Sequence, residues 1–170
     1  EIPKRDWSSD VCSSDLGILP SRQNLPVIDR EHYASTSGVA RGAYALNAVD
    51  NPDVILIATG SEVSITLQAA ELLSKEGIKA RVISAPCLEW FISQDASYRN
   101  SILPPTVKAR VSIEAGIAQG WREFIGDYGV AVSLEHFGAS ASAGVLFKEF
   151  GFTPEKIAAA AKNSIAKVGE

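Results

Sequence analysis

Side chains able to perform chemistry are scarce in this chain: its 170 residues include two histidines and two cysteines. Cys12 and Cys87 have neither metal-ligand spacing nor a histidine close by. That excludes a zinc site and a disulfide framework, and it fits a reducing compartment. The chain also lacks a basic run. Its 16 Lys and Arg stand against 20 Asp and Glu, with no basic stripe interleaved with aromatics, so nucleic acid is excluded as a partner. No apolar stretch approaches the ~20 residues that cross a bilayer, and the polar N-terminal stretch has no apolar signal core. The expectation is a soluble cytoplasmic protein with no membrane partner. Neither G-x-G-x-x-G nor the lysine of a P-loop is present, which removes the common phosphate-loop fingerprints. There is no internal repeat, and no low-complexity tract beyond the run Ala158 to Ala161.

What is present is material for one core. With 46% hydrophobic and 21% charged residues, a chain of this length is expected to form one domain with loose ends. One loose end is at the start. Asp6 to Leu16 reads Asp-Trp-Ser-Ser-Asp-Val-Cys-Ser-Ser-Asp-Leu, with neither helical nor strand period. Its back-translation resembles the adapter ligated to fragments in short-read sequencing libraries. Residues 1–16 are therefore expected to be an artefact without fixed structure, and Cys12 drops out with them.

The remainder alternates strands and helices. Asp53 to Ala58 is a continuous apolar, β-branched run, the pattern of a strand covered on both faces. Thr59-Gly60-Ser61 turns it into a helix with Ser61 as N-cap, Glu62 at the positive end, and Gly77 as the stop. Strands follow at Ala80 to Ser84, Ala109 to Ile113 and Val130 to Leu134. Between them come a loop through Pro86, a helix from Gln94 to about Ser101 broken by Pro104 and Pro105, and a helical stretch around Trp121 to Ile125. Helices from about Ala141 to Phe150, and after Thr153 as N-cap with Pro154 at the first position, complete the chain. Ala43 to Leu46 is a short edge strand. The fold class is α/β: a three-layer α/β/α arrangement around a mainly parallel five-stranded sheet, its edge strand antiparallel.

Few residues are placed for chemistry. Arg22, in Ser21-Arg22-Gln23-Asn24-Leu25-Pro26, carries a permanent charge on a planar fork that matches phosphate oxygens. Its alternative role is pairing with a carboxylate across a domain boundary. Thr59 to Glu62 sits at a helix start, where free N–H groups favour anions, but Glu62 puts a negative charge where the anion would lie. A structural cap is the competing reading. Glu114 follows a core strand at the carboxyl edge, where open α/β sheets bind ligands, and it is also placed to bond a neighbouring loop or subunit. His136 has no Ser or Cys nucleophile that its spacing brings close, His32 sits solvated in a polar linker, and Cys87 is expected to be a small buried apolar residue. Trp90, Phe91 and Trp121 suit core or interface anchors.

Taken together, Ser21 to Pro26, Ile57-Ala-Thr-Gly-Ser-Glu-Val63, Ala80 to Ser84, Gln94 to Arg99, Ser112-Ile-Glu-Ala-Gly116 and Phe137-Gly-Ala-Ser140 resemble, in order and spacing, the carboxyl-terminal part of the transketolase family. The likeness covers Gly17 to Glu170, departing at Ser142, where the family commonly has proline. It implies transfer of a two-carbon ketol unit between sugar phosphates in the pentose phosphate pathway or Calvin cycle. It also implies thiamine diphosphate with Mg2+ or Ca2+ in the parent enzyme, and a homodimer. By the same resemblance residues 17–42 end the pyrimidine-binding domain and lead out of it, residues 43–170 form the carboxyl-terminal domain, and Arg22 matches the arginine that binds the substrate phosphate. No catalytic, cofactor-binding or metal-binding residue of the family has a counterpart here, so the chain alone is expected to be inactive and to bind no cofactor. The alternatives are a stand-alone α/β ligand-binding or regulatory module, or the same domain from deoxyxylulose phosphate synthase or a dehydrogenase E1 β subunit.

Overall fold

In the computed structural model the described residues are 23–170. Arg22 and residues 1–16, expected to be an artefact, lie outside them.

The architecture follows from one strand. β2 (Val54–Ala58) is buried along its whole length, so its backbone polar groups must be paired on both sides. They pair with β3 (Ala80–Ser84) and β4 (Arg110–Ile113), both parallel to it. β5 (Val130–Val132) extends the sheet beyond β4 in parallel, and β1 (Tyr44–Ala45) closes the other side antiparallel to β3. The order is β1-β3-β2-β4-β5, the expected mainly parallel five-stranded sheet with an antiparallel edge.

Alternate residues of β2 feed two cores. Val54, Leu56 and Ala58 pack with Leu67 and Leu73 of α1 (Glu62–Lys75) and with Ile157 and Ala161 of α6 (Pro154–Gly169). Ile55 and Ile57 face the other way, onto α2 (Leu88–Ile92), α3 (Ala96–Ile102) and α4 (Arg122–Ile125), through Phe91, Ile102 and Phe124. Each fully buried aliphatic or aromatic side chain contributes about 1.5–3 kcal/mol, so the period-2 division of β2 is the main source of the three-layer stack. α5 (Ala143–Glu149) lies at the rim, with Phe147 packed against the first core.

Helix ends follow local chemistry. α1 stops where Gly77 takes φ +80°; its N–H bonds the Ser74 carbonyl, and Ile78 N–H bonds that of Leu73, a Schellman closure. α6 opens as expected, with Pro154 in its first turn and Thr153 Oγ1 accepting from Lys156 N–H at 3.3 Å.

Four local expectations need correction. The passage read as a loop through Pro86 contains α2, a single turn formed because Phe91 is drawn into the second core. The helix placed from Gln94 begins at Ala96, where the Asp95 carboxylate accepts from Tyr98 N–H at 2.8 Å. The last strand ends at Val132 rather than Leu134, since Leu134 N–H turns to the Gly116 carbonyl at 2.8 Å. Ser61 precedes α1 in a helical conformation, and its side chain makes no capping bond.

Candidate functional site at the carboxyl edge

The carboxyl ends of β2 and β4 bring together residues far apart in sequence. Glu114 Oε1 accepts from Thr59 Oγ1 at 3.1 Å, and Oε2 accepts from the Trp121 indole N–H at 2.8 Å. Glu62, 5% exposed, accepts from the Ala115 backbone N–H at 3.1 Å and from the Ser61 hydroxyl at 2.9 Å. Two carboxylates thus lace the turn after β2 to the turn after β4. The Thr59 to Glu62 turn already carries its own anion: the carboxylate of Glu62 holds the N–H donor of the neighbouring loop, which disfavours a phosphate there.

A third carboxylate continues the lacing outward. Glu135 Oε1 accepts from Ser133 Oγ at 2.7 Å and from Ala118 N–H at 2.8 Å. These bonds, Ser133's first and Ala118's second, favour the charged form and hold the Glu135 carboxyl below the usual glutamate range. Beyond it, His136 is exposed; its Nδ1 lies 2.8 Å from the Phe137 carbonyl, to which it donates, and its ring meets Phe150 edge-on at 5.1 Å. No nucleophile is bonded to it among the described residues. His32 is exposed as expected and pairs through Nδ1 with Asp29 Oδ2 at 2.5 Å. The Asp29 carboxyl is lowered first by the Glu31 backbone N–H and then by His32.

Cys87 is half-buried rather than enclosed in the core, with Sγ 3.5 Å from Glu89 Oε2. Phe91 and Trp121 are buried anchors of the second core, where Trp121 packs edge-on to Phe124 at 5.9 Å. Arg22 lies outside the described residues. Gln23 to Pro26, which follow it, line a cleft of about 250 Å³ with Ser61, Ser64 of α1 and Ala143 of α5, at this same carboxyl edge.

The opposite edge holds the residues that sequence reasoning passed over. Arg110 donates through Nε to the Val107 carbonyl at 2.9 Å, through Nη1 to Phe124 at 2.7 Å, and through Nη2 to Pro104 at 3.0 Å and Leu103 at 3.3 Å. Burial pulls its pKa down. Arg81 similarly donates to the carbonyls of Val49 at 2.8 Å and Ser101 at 3.0 Å. Both guanidinium groups tie loops to the sheet. The only sequence signal was a cation in an otherwise apolar strand.

Among the described residues no group of three or more His, Cys, Asp or Glu side chains is arranged to hold a metal ion, and the carboxylates of the edge are each engaged by protein donors. The described donor set does not fit a divalent cation or a diphosphate, and no chemical step can be derived through either group from these residues. No helix among them is long and apolar enough to cross a membrane.

Comparison with known proteins supplies the context. The sequence profile of the Transketolase-like TK C-terminal domain matches residues 42–153. The transketolase of Mycobacterium tuberculosis is 49% identical over 159 residues, covering 90% of this chain and 22% of the relative. Transketolase 1 of Escherichia coli is 47% identical over 159 residues, covering 92% and 24%. A crystal structure of Pichia stipitis transketolase in complex with sedoheptulose-7-phosphate superimposes with a TM-score of 0.78 at 38% identity, over 88% of this chain and 21% of that one. The chain thus spans about a fifth to a quarter of the length of these relatives.

Proposed function

The chain belongs to the transketolase family through its carboxyl-terminal domain, and from that premise we propose that it is the carboxyl-terminal portion of a cytoplasmic transketolase. The parent transfers a two-carbon ketol unit between sugar phosphates, with thiamine diphosphate and a divalent metal, as a homodimer. Residues 17–42 are the end of its pyrimidine-binding domain and the lead out of it, and residues 43–170 are its carboxyl-terminal domain. The observation that carries this reading is the identity of nearly one half with transketolases over 159 residues, supported by a sheet edge whose carboxylates are all committed to internal bonds. In this reading the described domain holds and orients neighbours, while cofactor, metal and proton transfer lie with upstream residues.

Arg22 is assigned to the substrate phosphate. A sheltered Arg–phosphate contact contributes about 1.5–3 kcal/mol, and millimolar binding already needs about 4. The chain alone therefore binds no sugar phosphate measurably and turns none over. Replacing the matching carboxyl-terminal segment of the M. tuberculosis relative by residues 17–170 should give an active transketolase. Within that chimera Arg22→Ala should raise KM for phosphorylated ketoses roughly tenfold or more and change kcat little. An unchanged KM removes the phosphate role. Calorimetric binding of xylulose 5-phosphate to the isolated chain below a millimolar removes the claim that the chain alone does not bind sugar phosphate.

A further inference from the structure

We propose that the cleft between residues 23–26 and helices α1 and α5 holds Arg22 in place, which makes Leu25 and the wall it faces, Ile65 and Phe147, positioning residues for phosphorylated substrate. The inference rests on the reading of Arg22 as the phosphate ligand. Arg22 is bonded directly to Gln23, so the ~3.8 Å between consecutive Cα atoms ties its backbone to that of the cleft. Gln23, Asn24, Leu25 and Pro26 face Ile65 of α1 and Gly144 and Phe147 of α5 across about 250 Å³. That wall is fixed. Ile65 and Phe147 pack against the first core, Phe147 meets the buried Phe152 ring at 5.8 Å, and Glu62 pins the start of α1 through the Ala115 N–H at 3.1 Å.

The segment facing the wall has little freedom of its own. Pro26 fixes its own φ and keeps Leu25 extended. Just beyond it Ile28 and Tyr33 pack against the first core, and Ala34 N–H bonds the Leu46 carbonyl at 2.8 Å. Leu25 belongs to no helix or strand, yet at 43% exposed more than half of its surface is covered. The chain after Arg22 is thus anchored on the carboxyl-terminal domain, and the cleft is the space left for residues 23–26, and the arginine they carry, to shift. A guanidinium fork matches phosphate oxygens only over a narrow range of positions. A displacement of about 1 Å therefore weakens the contact and leaves the reacting carbons untouched.

Within the M. tuberculosis chimera, Gly144→Leu narrows the cleft; a Cβ at Gly144 meets no atom within 4 Å, so the helix itself tolerates the change. Leu25→Ser loosens the segment from the other side. Each should raise KM for xylulose 5-phosphate roughly threefold to tenfold and change kcat little. KM for xylulose, the same ketose without phosphate, should stay as it was. Neither variant should add to the effect of Arg22→Ala, because the arginine through which they act is then gone. In the chain alone, with Cys12 and Cys87 replaced by serine, a nitroxide on Arg22→Cys should broaden the amide signals of Ile65 and Gly144 and spare that of Lys79 at the opposite edge. No broadening at the cleft overturns the inference, as does an equal shift of KM for both ketoses or a full addition to Arg22→Ala. If Arg22→Ala raises KM and both cleft variants are silent, only the positioning fails; if Arg22→Ala is itself silent, the phosphate reading fails and takes the positioning with it.

Discussion

The two edges of the sheet satisfy their polar groups with opposite charges. At the carboxyl edge Glu62, Glu114 and Glu135 accept from backbone N–H groups, hydroxyls and an indole. At the amino edge Arg81 and Arg110 donate to the carbonyls of Val49, Ser101, Leu103, Pro104, Val107 and Phe124. The difference has a physical origin. Turns leading into helices leave N–H groups unpaired, and turns leaving helices leave C=O groups unpaired, so an anion suits the first and a cation the second. A carboxylate at the carboxyl edge of an α/β sheet is thus explained by backbone satisfaction before any catalytic role is invoked. The amino edge keeps a larger cleft, about 460 Å³ beside Tyr33, Asn47 and Lys79, whereas the carboxyl edge carries the smaller one beside residues 23–26.

The comparison can be broken experimentally. The largest effect should come from Arg110→Met, which strands several half-buried carbonyls at once; urea unfolding should show a loss of about 3 kcal/mol at unchanged m-value, and a loss below about 1 would mean that water replaces the guanidinium. Glu114→Ala, at the other edge, leaves the buried Trp121 N–H and Thr59 hydroxyl without an acceptor and should cost about 2 kcal/mol. Glu114→Gln, which keeps an acceptor for one donor, should fall between. If Glu114→Ala equals wild type, the carboxylate is spare and a ligand role returns. A local cap should matter less: Thr153→Ala removes the bond to Lys156 N–H and should cost about 1 kcal/mol.

The smallest effect concerns pH. Because the folded Glu135 carboxyl titrates below its unfolded value, its contribution is present above the unfolded pKa and disappears as pH falls through the depressed one. Ser133→Ala, which removes the leading cause, should move the Glu135 titration, followed by NMR of the side-chain carboxyl carbon, up toward an ordinary glutamate. No movement would assign the depression to Ala118 N–H alone.

Legibility in sequence followed the range of the interactions. Val54 to Ala58 was readable as a doubly covered strand because one unbroken apolar run is a sufficient local cause. Thr153-Pro154 was readable as a helix start because the cap and its N–H lie within three residues. α2 was missed because a five-residue helix has no period to detect and exists through the burial of Phe91. Ser61 was misread since its hydroxyl prefers the Glu62 carboxylate over a backbone N–H. The family resemblance was legible in motif order and extends over the profile match at residues 42–153. The partners of Glu114 were not, because Thr59 is separated from it by 55 residues.

By itself, then, the sequence determined the alternation of strand and helix, the two-sided burial of the sheet and the family, all of which rest on local periodicity and contiguous motifs. The tertiary structure alone decided which charges are spent on backbone groups and which distant segments share a cleft. Those outcomes depend on turns from distant segments meeting at one sheet edge, where a hydrogen bond of about 3 Å forms or fails according to a geometry that no local pattern encodes.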